Sequence, residues 1–169
     1  MLVFCRIKIS QKSINVNIFK KYLSYLNLPI KYPLFNTKLK KLKGQTYIFD
    51  EVRKKWLVLS PEEWVRQHLI HFLIKQKKYP ASLISIEKEI ILNDLKKRYD
   101  IVVYNKQLQP IIVIECKAPY IELDQSVVEQ ALRYNLIIKA NYLMLSNGVS
   151  DITFNSLNQQ VNLPDYSEL

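Results

Sequence analysis

Asp100, Glu115 and Lys117 are charged residues set into two otherwise apolar runs, "YDIVVYN" (99–105) and "IIVIECK" (111–117). If these runs pair as an antiparallel hairpin centred between Gln107 and Leu108, facing positions add to 215, so Asp100 lies opposite Glu115 and Arg98 opposite Lys117. Directly opposed side chains have Cβ atoms about 4.5–5.5 Å apart, and residues two apart on a strand share a face. A slip of one residue would undo this arithmetic. Two ionised carboxylates about 5 Å apart repel by roughly 3 kcal/mol at an effective dielectric near 20. A divalent cation offsets that directly, and Mg²⁺ takes hard oxygen ligands including one or two carboxylates. The backbone carbonyl of Cys116 would add a third oxygen. Lys117 could orient an attacking water, favour its deprotonation or stabilise charge developing on a phosphate. The competing reading is a salt-bridged cluster of Arg98, Asp100, Glu115 and Lys117 at a sheet end, with no chemistry attached.

The elements that must position these residues are a helix followed by strands. In "SPEEWVRQHLIHFLIKQKK", Ser60 suits the N-cap, Pro61 the first helical position and Glu63 a capping box, with an apolar stripe of Val65, Leu69, Phe72 and Leu73. Strand-like runs follow at 83–92, 99–105 and 111–117, then a helical run at 124–139 and a strand-like run at 141–148. The central runs are so apolar and β-branched that both faces of their sheet must be covered, which predicts an α/β fold. Upstream, runs at 46–49 and 55–59 flank a polar turn and predict a hairpin. Residues 1–45 alternate apolar runs with lysines and read as a basic arm with a short helix near 16–26. Residues 150–169 are polar and weakly patterned and read as a tail. The expected organisation is an arm over 1–45, a domain over 46–149 and a tail over 150–169.

Composition narrows the classes. The net charge of +10 is uneven: residues 1–60 carry 13 Lys/Arg against 2 Asp/Glu, and residues 61–169 carry 12 against 13. That asymmetry points to a polyanionic partner such as DNA, or to a solvated lysine-rich arm. Cys5 and Cys116 sit in no ligand-spaced cluster, and His68 and His71 have no third ligand near them in sequence, so neither a disulfide framework nor a zinc site is signalled. Gly44 and Gly148 are the only glycines, which excludes a G-x-x-x-x-G-K-[ST] phosphate loop and the motor function it would serve. No apolar run approaches the roughly 18–20 residues of a membrane span, so the expectation is a cytoplasmic protein with no membrane partner.

Asp100 followed by "ECK" at 115–117 resembles the PD-(D/E)xK nuclease motif. Three longer stretches, "IFDEVRKKWLVLSPEEWVRQHLIHFLI", "KKRYDIVVYNKQLQPIIVIECKAP" and "EQALRYN…YLMLSNG", resemble the nuclease domain at the N-terminus of type I restriction enzyme R subunits, most closely a stand-alone form, over residues 46–149. The resemblance implies a restriction-endonuclease-like three-layer core, ordered helix, three strands, helix, strand, with the basic arm added. It implies a Mg²⁺-dependent DNA endonuclease, with Mn²⁺ able to substitute, in which Asp100 and Glu115 bind the ion and Lys117 assists the attacking water. The family pattern E-x-x-V-R places Glu62 as a further metal ligand; Glu63 is the neighbouring alternative, and a first-turn acid favouring the helix dipole is the bland one. Gln130 and Tyr134 match a glutamine–tyrosine pair on the later helix, where an amide could orient DNA or water. As bare spacing, the pair reads as ordinary helix surface. The implied partners are DNA and either a second copy of the chain or other restriction or repair subunits. Rival readings are a DNA-binding or repair-associated module without turnover, and an adaptor presenting Trp56 and Trp64.

Overall fold

A computed structural model describes residues 28–33, 35–92 and 95–169 of the chain. The expected helix near 16–26 lies outside the described residues. Strands β1 (Leu39–Leu42), β2 (Gln45–Asp50) and β3 (Lys55–Val58) form a small antiparallel sheet. Helix α1 (Pro61–Lys75) follows, then β4 (Ile84–Leu92), β5 (Leu95–Tyr104), β6 (Pro110–Cys116), helix α2 (Gln125–Ile138), β7 (Tyr142–Ser146), β8 (Asp151–Asn155) and β9 (Gln160–Val161). Strands β4 to β9 make a six-stranded sheet in sequence order, in which only β6 and β7 run parallel, joined through α2. The order helix, three strands, helix, strand is the one read from sequence.

Residues alternate between the two faces of the large sheet. Ile101, Val103, Ile112, Ile114 and Met144 pack with Val65, Leu69, Ile70 and Leu73 of α1. Val102, Val113, Leu143 and Leu145 pack with Ala131 of α2. The small sheet then covers the outer side of α1, where Ile48, Leu57 and Leu59 meet Trp64. Buried between two sheets, α1 has no single apolar stripe: from Glu63 to Ile70 every residue is buried. The Ser60 hydroxyl accepts from the Glu63 amide at 3.0 Å, but the Glu63 carboxylate turns to Arg66 and Gln67, so only half of the expected capping box forms. Helix α2 is capped by Asp124, which accepts from the Val127 amide, and ends at left-handed Lys139.

Two segments read as peripheral belong to the body. Residues 150–169, read as a tail, supply β8 and β9, and Tyr166 donates its amide to the Lys77 carbonyl. Their signal was a turn, since "NSLNQ" at 155–159 folds as "NKQLQ" at 105–109 does. In each, the leading Asn side chain accepts from amides two and four residues on, and the fourth residue is left-handed. From the described part of the arm, Tyr32 is 3% exposed and its hydroxyl sits 2.7 Å from Ser146 Oγ and 2.6 Å from Asp151 Oδ1. Lys31 adds an ion pair to Asp151, and its backbone N–H donates to the Gly148 carbonyl. Among the described residues no helix is long and apolar enough to cross a membrane.

Gly148 is left-handed at φ +80°, and an added Cβ would lie 3.0 Å from Val65 Cγ2 in the core. Gly44, at φ +79°, has nothing within 4 Å of that position. Gly44→Ala should therefore cost about 1 kcal/mol of backbone strain. Gly148→Ala should cost about 1–3 kcal/mol more through overpacking, and denaturant unfolding of the two variants checks the difference.

Burial holds the His68 imidazole down to about 4, its Nδ1–H donating to the Trp64 carbonyl at 2.8 Å. The unfolded chain takes up this proton below about pH 6.5 and the folded chain does not. The His68 share of stability is thus fully present above that pH and falls as pH drops toward 4, by about 2 kcal/mol between pH 7 and 5. NMR titration should find the His68 ring shifts flat over that interval.

Candidate functional site

The β5–β6 ladder pairs Ile101 with Ile114, Val102 with Val113 and Val103 with Ile112, which is the register expected from sequence. It stops one step short of Asp100 and Glu115, because the strands part there. On the other side, the β4–β5 ladder pairs Ile86 with Ile101 and Lys88 with Tyr99 but skips Glu87 and Asp100, and Glu87 is left-handed at φ +52°. The alternation of β5 slips at this point: Tyr99 packs on the α2 side although Ile101 packs on the α1 side. Asp100 is thereby released from a regular strand position. Its Oδ2 accepts from the Cys116 amide at 2.7 Å, taking the place of a backbone carbonyl in the gap between the strand ends. The Asp100 carboxylate therefore sits on the peptide that follows Glu115, one residue before Lys117.

Arg66 of α1 closes the other side. Its Nη2 donates to Asp100 Oδ1 at 2.6 Å and to Glu62 Oε1 at 2.9 Å, while Nη1 bonds Glu63 and lies 3.6 Å from Glu87. A second arginine extends the network: Arg53, in the turn between β2 and β3, bonds Asp50 and Glu87 at 2.6 Å each and lies 3.5 Å from Glu63. Gln67 donates to Asp50 and Glu63. Burial opposes the charge on Arg66, but Asp100 and Glu63 outweigh it and keep the guanidinium protonated. Burial raises the carboxyls of Glu62 and Glu63, in Glu62 reinforced by Asp100 and countered by Arg66 and Lys117. For Asp50 burial acts the same way, yet the bonds from Arg53 and Gln67 win and hold it below the usual carboxylate range.

The residues singled out from sequence fall as follows. Glu62, Asp100 and Lys117 come together, Glu62 and Asp100 sharing one guanidinium nitrogen and Glu62 feeling the Lys117 charge. Glu115 is half-buried and lies one position past the last ladder pair. Cys116 is buried in the core, and burial, then the charges of Asp100, Glu62 and Glu115, push its thiol well up. Lys117 is half-buried and, among the described residues, has no carboxylate within ion-pair distance. Glu62 keeps a side chain 45% exposed, whereas Glu63, at 7%, is the inward-facing acid, the reverse of the sequence expectation. Arg98 does not join Asp100 and Lys117; it is exposed and leans toward Glu87 at 3.7 Å. Gln130 is exposed on α2, and no hydrogen bond or ion pair joins it to these residues; the side chain of Tyr134 lies outside the described residues. His68 and His71 share no metal-ligand geometry: the first lies tilted against Trp64 and edge-on to Phe35, and the second stacks on Phe35. Sequence reading missed the roles of Arg66, Arg53, Gln67 and Glu87. For Arg66 and Gln67 a signal existed, the i, i+3 and i+4 spacing from Glu62 and Glu63.

Among the described residues, no three His, Cys, Asp or Glu side chains converge as a metal-ligand shell. The acids Asp50, Glu62, Glu63, Glu87 and Asp100 are instead drawn into one network by Arg53 and Arg66.

Fold and site together define a mixed α/β domain with a helix on each face of its large sheet and a buried acid–arginine network at the parted ends of β5 and β6. The chain belongs to the family of type I restriction enzyme R protein N-terminal domains, whose model matches residues 61–168. No curated protein sequence matches it. Its fold is similar to that of a fragment described as an HsdR subunit of a type I restriction enzyme from Vibrio vulnificus YJ016, at 18% identity and a TM-score of 0.50, over 66% of this chain and 24% of that one. The chain thus spans about a quarter of that fragment. A protein from Anabaena variabilis ATCC 29413 described as a nuclease belonging to DUF820 aligns over 93% of both chains at 13% identity and a TM-score of 0.48.

Arg66→Met would leave Glu62, Glu63, Glu87 and Asp100 without their shared cation, and should cost about 3–5 kcal/mol of stability at pH 8. A carboxyl whose folded pKa is raised gains its proton at a higher pH when folded, so acidification relieves the repulsion left behind. The loss should shrink by pH 5, as denaturant unfolding at both pH values would show.

Proposed function

We propose that this domain is a divalent-metal-dependent DNA endonuclease with a restriction-endonuclease-like core. The observation that carries the reading is the Asp100 carboxylate seated on the Cys116 amide, between Glu115 and Lys117. Family membership and the likeness of fold to the restriction-subunit fragment support it. The donor chemistry fits a Mg²⁺ or Mn²⁺ ion, since such an ion needs only one or two carboxylates, and Glu62 and Asp100 meet at one guanidinium nitrogen with Glu115 one position past the last β5–β6 pair. Asp100 and Glu115 would hold it with the Cys116 carbonyl, and Glu62 would join from α1. When bound, the ion supplies Lewis-acid polarisation of a phosphate and lowers the pKa of a water. Lys117 would position that water and stabilise the charge developing on the phosphate; among the described residues no carboxylate lies within ion-pair distance of its ammonium. The Cys116 amide and Arg66 fix the Asp100 carboxylate, so little reorganisation is needed as the phosphate reacts. Gln130, on exposed α2 surface, is assigned to DNA contact near the site. The lysines of the N-terminal third supply phosphate contacts that add affinity without sequence selection. Restriction or repair subunits, or a second copy of the chain, are the partners this reading invokes.

One observation favours a rival. Arg66 already neutralises Glu62 and Asp100, as a resident cation would in a DNA-binding module without turnover. A cleavage assay on linear, supercoiled, branched and single-stranded DNA with Mg²⁺ or Mn²⁺ separates the two. The nuclease reading expects cutting that falls at least about 100-fold in Lys117→Ala and Asp100→Asn. It also expects Mg²⁺ binding, seen by calorimetry, that disappears in Asp100→Asn. Wild-type protein that cuts none of these and binds no metal, yet binds DNA in a salt-sensitive way that survives Asp100→Asn, would favour the rival.

A further inference from the structure

The small sheet has one face buried and one open. Leu39, Ile48 and Leu57 point inward to Leu59 and Trp64. By strand alternation and register, Lys40, Tyr47, Phe49, Trp56 and Val58 share the outer face. Trp56 is 37% exposed and Val58 45%, although both are large and apolar. The rings are organised: Phe49 and Trp56 meet edge to face at 5.2 Å between centroids. Lysines lie over them, Lys40 Nζ 4.3 Å from the Trp56 ring and 5.8 Å from Tyr47, and Lys38 Nζ 5.3 Å from Phe49. Lys43 and Lys54 are exposed at the two turns; Lys41 and Lys55 are exposed too but alternate to the face of Leu39 and Leu57, and the acids nearby are buried Asp50 and Glu51, which pairs with Lys38 at 3.2 Å.

We propose that this face is a docking surface for a single strand of nucleic acid, its bases stacking on Trp56 and Tyr47 and its phosphates bound by the surrounding lysines. Exposed aromatic faces inside a lysine field match both parts of such a ligand, a π surface and a phosphate in every repeat. A duplex keeps its base faces stacked inside, so it would use the lysines and leave the rings idle. A cation over an exposed ring is held by only about 0.5–1 kcal/mol, so Lys40 yields the Trp56 face to an incoming base and moves to a phosphate. The sheet is tied to the acid cluster, because Arg53 in its β2–β3 turn pairs with Glu63 and Glu87. A strand bound here is thereby anchored on an element joined to the candidate site. The inference does not need metal at Asp100 and Glu115, and its test is run in EDTA.

The test is fluorescence anisotropy of the full chain with labelled oligothymidylate, the matching oligouridylate and a duplex of equal length. Single strands should bind more tightly than the duplex and quench Trp56 emission. The DNA and RNA arms decide which strand is preferred, and preference for either supports the proposal. Trp56→Ala should weaken single-strand binding about fivefold or more, and Trp56→Phe should restore it, which separates stacking from loss of fold. Lys40→Gln should weaken binding and flatten its salt dependence, while Lys106→Gln, at the distant β5–β6 turn, should not. Wild-type affinity in Trp56→Ala, tighter binding of the duplex, or no binding to either single strand would overturn the proposal. None of these outcomes depends on whether the chain cuts DNA.

Discussion

The structure turns on a carboxylate held from two sides. Asp100 accepts from the Arg66 guanidinium on α1 and from the Cys116 amide on β6, at a point where neither neighbouring strand offers it a regular ladder position. One side chain thus joins the first helix to the sheet at the point where the β5–β6 ladder stops. Taking these charges out of water is costly, and an ion pair buried in this way repays the cost only when its geometry is good and its remaining lone pairs are used. Here most are: Arg66 reaches four acids, and Gln67 and Arg53 engage the oxygens behind them, while Arg66 Nε and Arg53 Nη2 have no hydrogen bond among the described residues. The arrangement contributes more to the placing of groups than to net stability.

The same network explains why α1 is packed as it is. A helix lying between two sheets would ordinarily be apolar all round. This one carries Glu63, Arg66, Gln67 and His68 in buried positions, because the β2–β3 turn brings Arg53 and Asp50 against it and β4 brings Glu87. The polar residues of the helix face partners across two sheets, and its apolar residues fill the spaces beside them.

What the sequence disclosed follows from what is local. Alternating apolar runs, Ser60 before Pro61, and a short turn between two strands are properties of neighbouring residues, and they led to the element order and to the β5–β6 register. The strands β8 and β9 were missed although "NSLNQ" is a turn of the same kind as "NKQLQ", because the flanking residues are largely polar and of the two strands only Thr153 is fully buried. The site was half legible. Asp100, Glu115 and Lys117 could be grouped from register alone, but Arg66 and Arg53 act through tertiary contacts whose partners lie up to 34 positions away. The orientation of Glu62 and Glu63 was misjudged for a similar reason: periodicity assumes one buried face, and α1 is buried on nearly every side.

The parallel pairing of β6 with β7 bears on how the chain is made. Antiparallel neighbours can zip up from a turn, but β7 must wait for α2 to be synthesised and folded back over the sheet. The partners of Tyr32, Ser146 and Asp151, emerge more than a hundred residues after it, and the carbonyl groups that meet Lys77 and Tyr79 belong to Leu163 and Pro164. Closure of this domain therefore waits until residues 142–166 have been made. Until then the nascent polypeptide must hold its apolar strands uncovered at the ribosome, which makes it a natural client for chaperones.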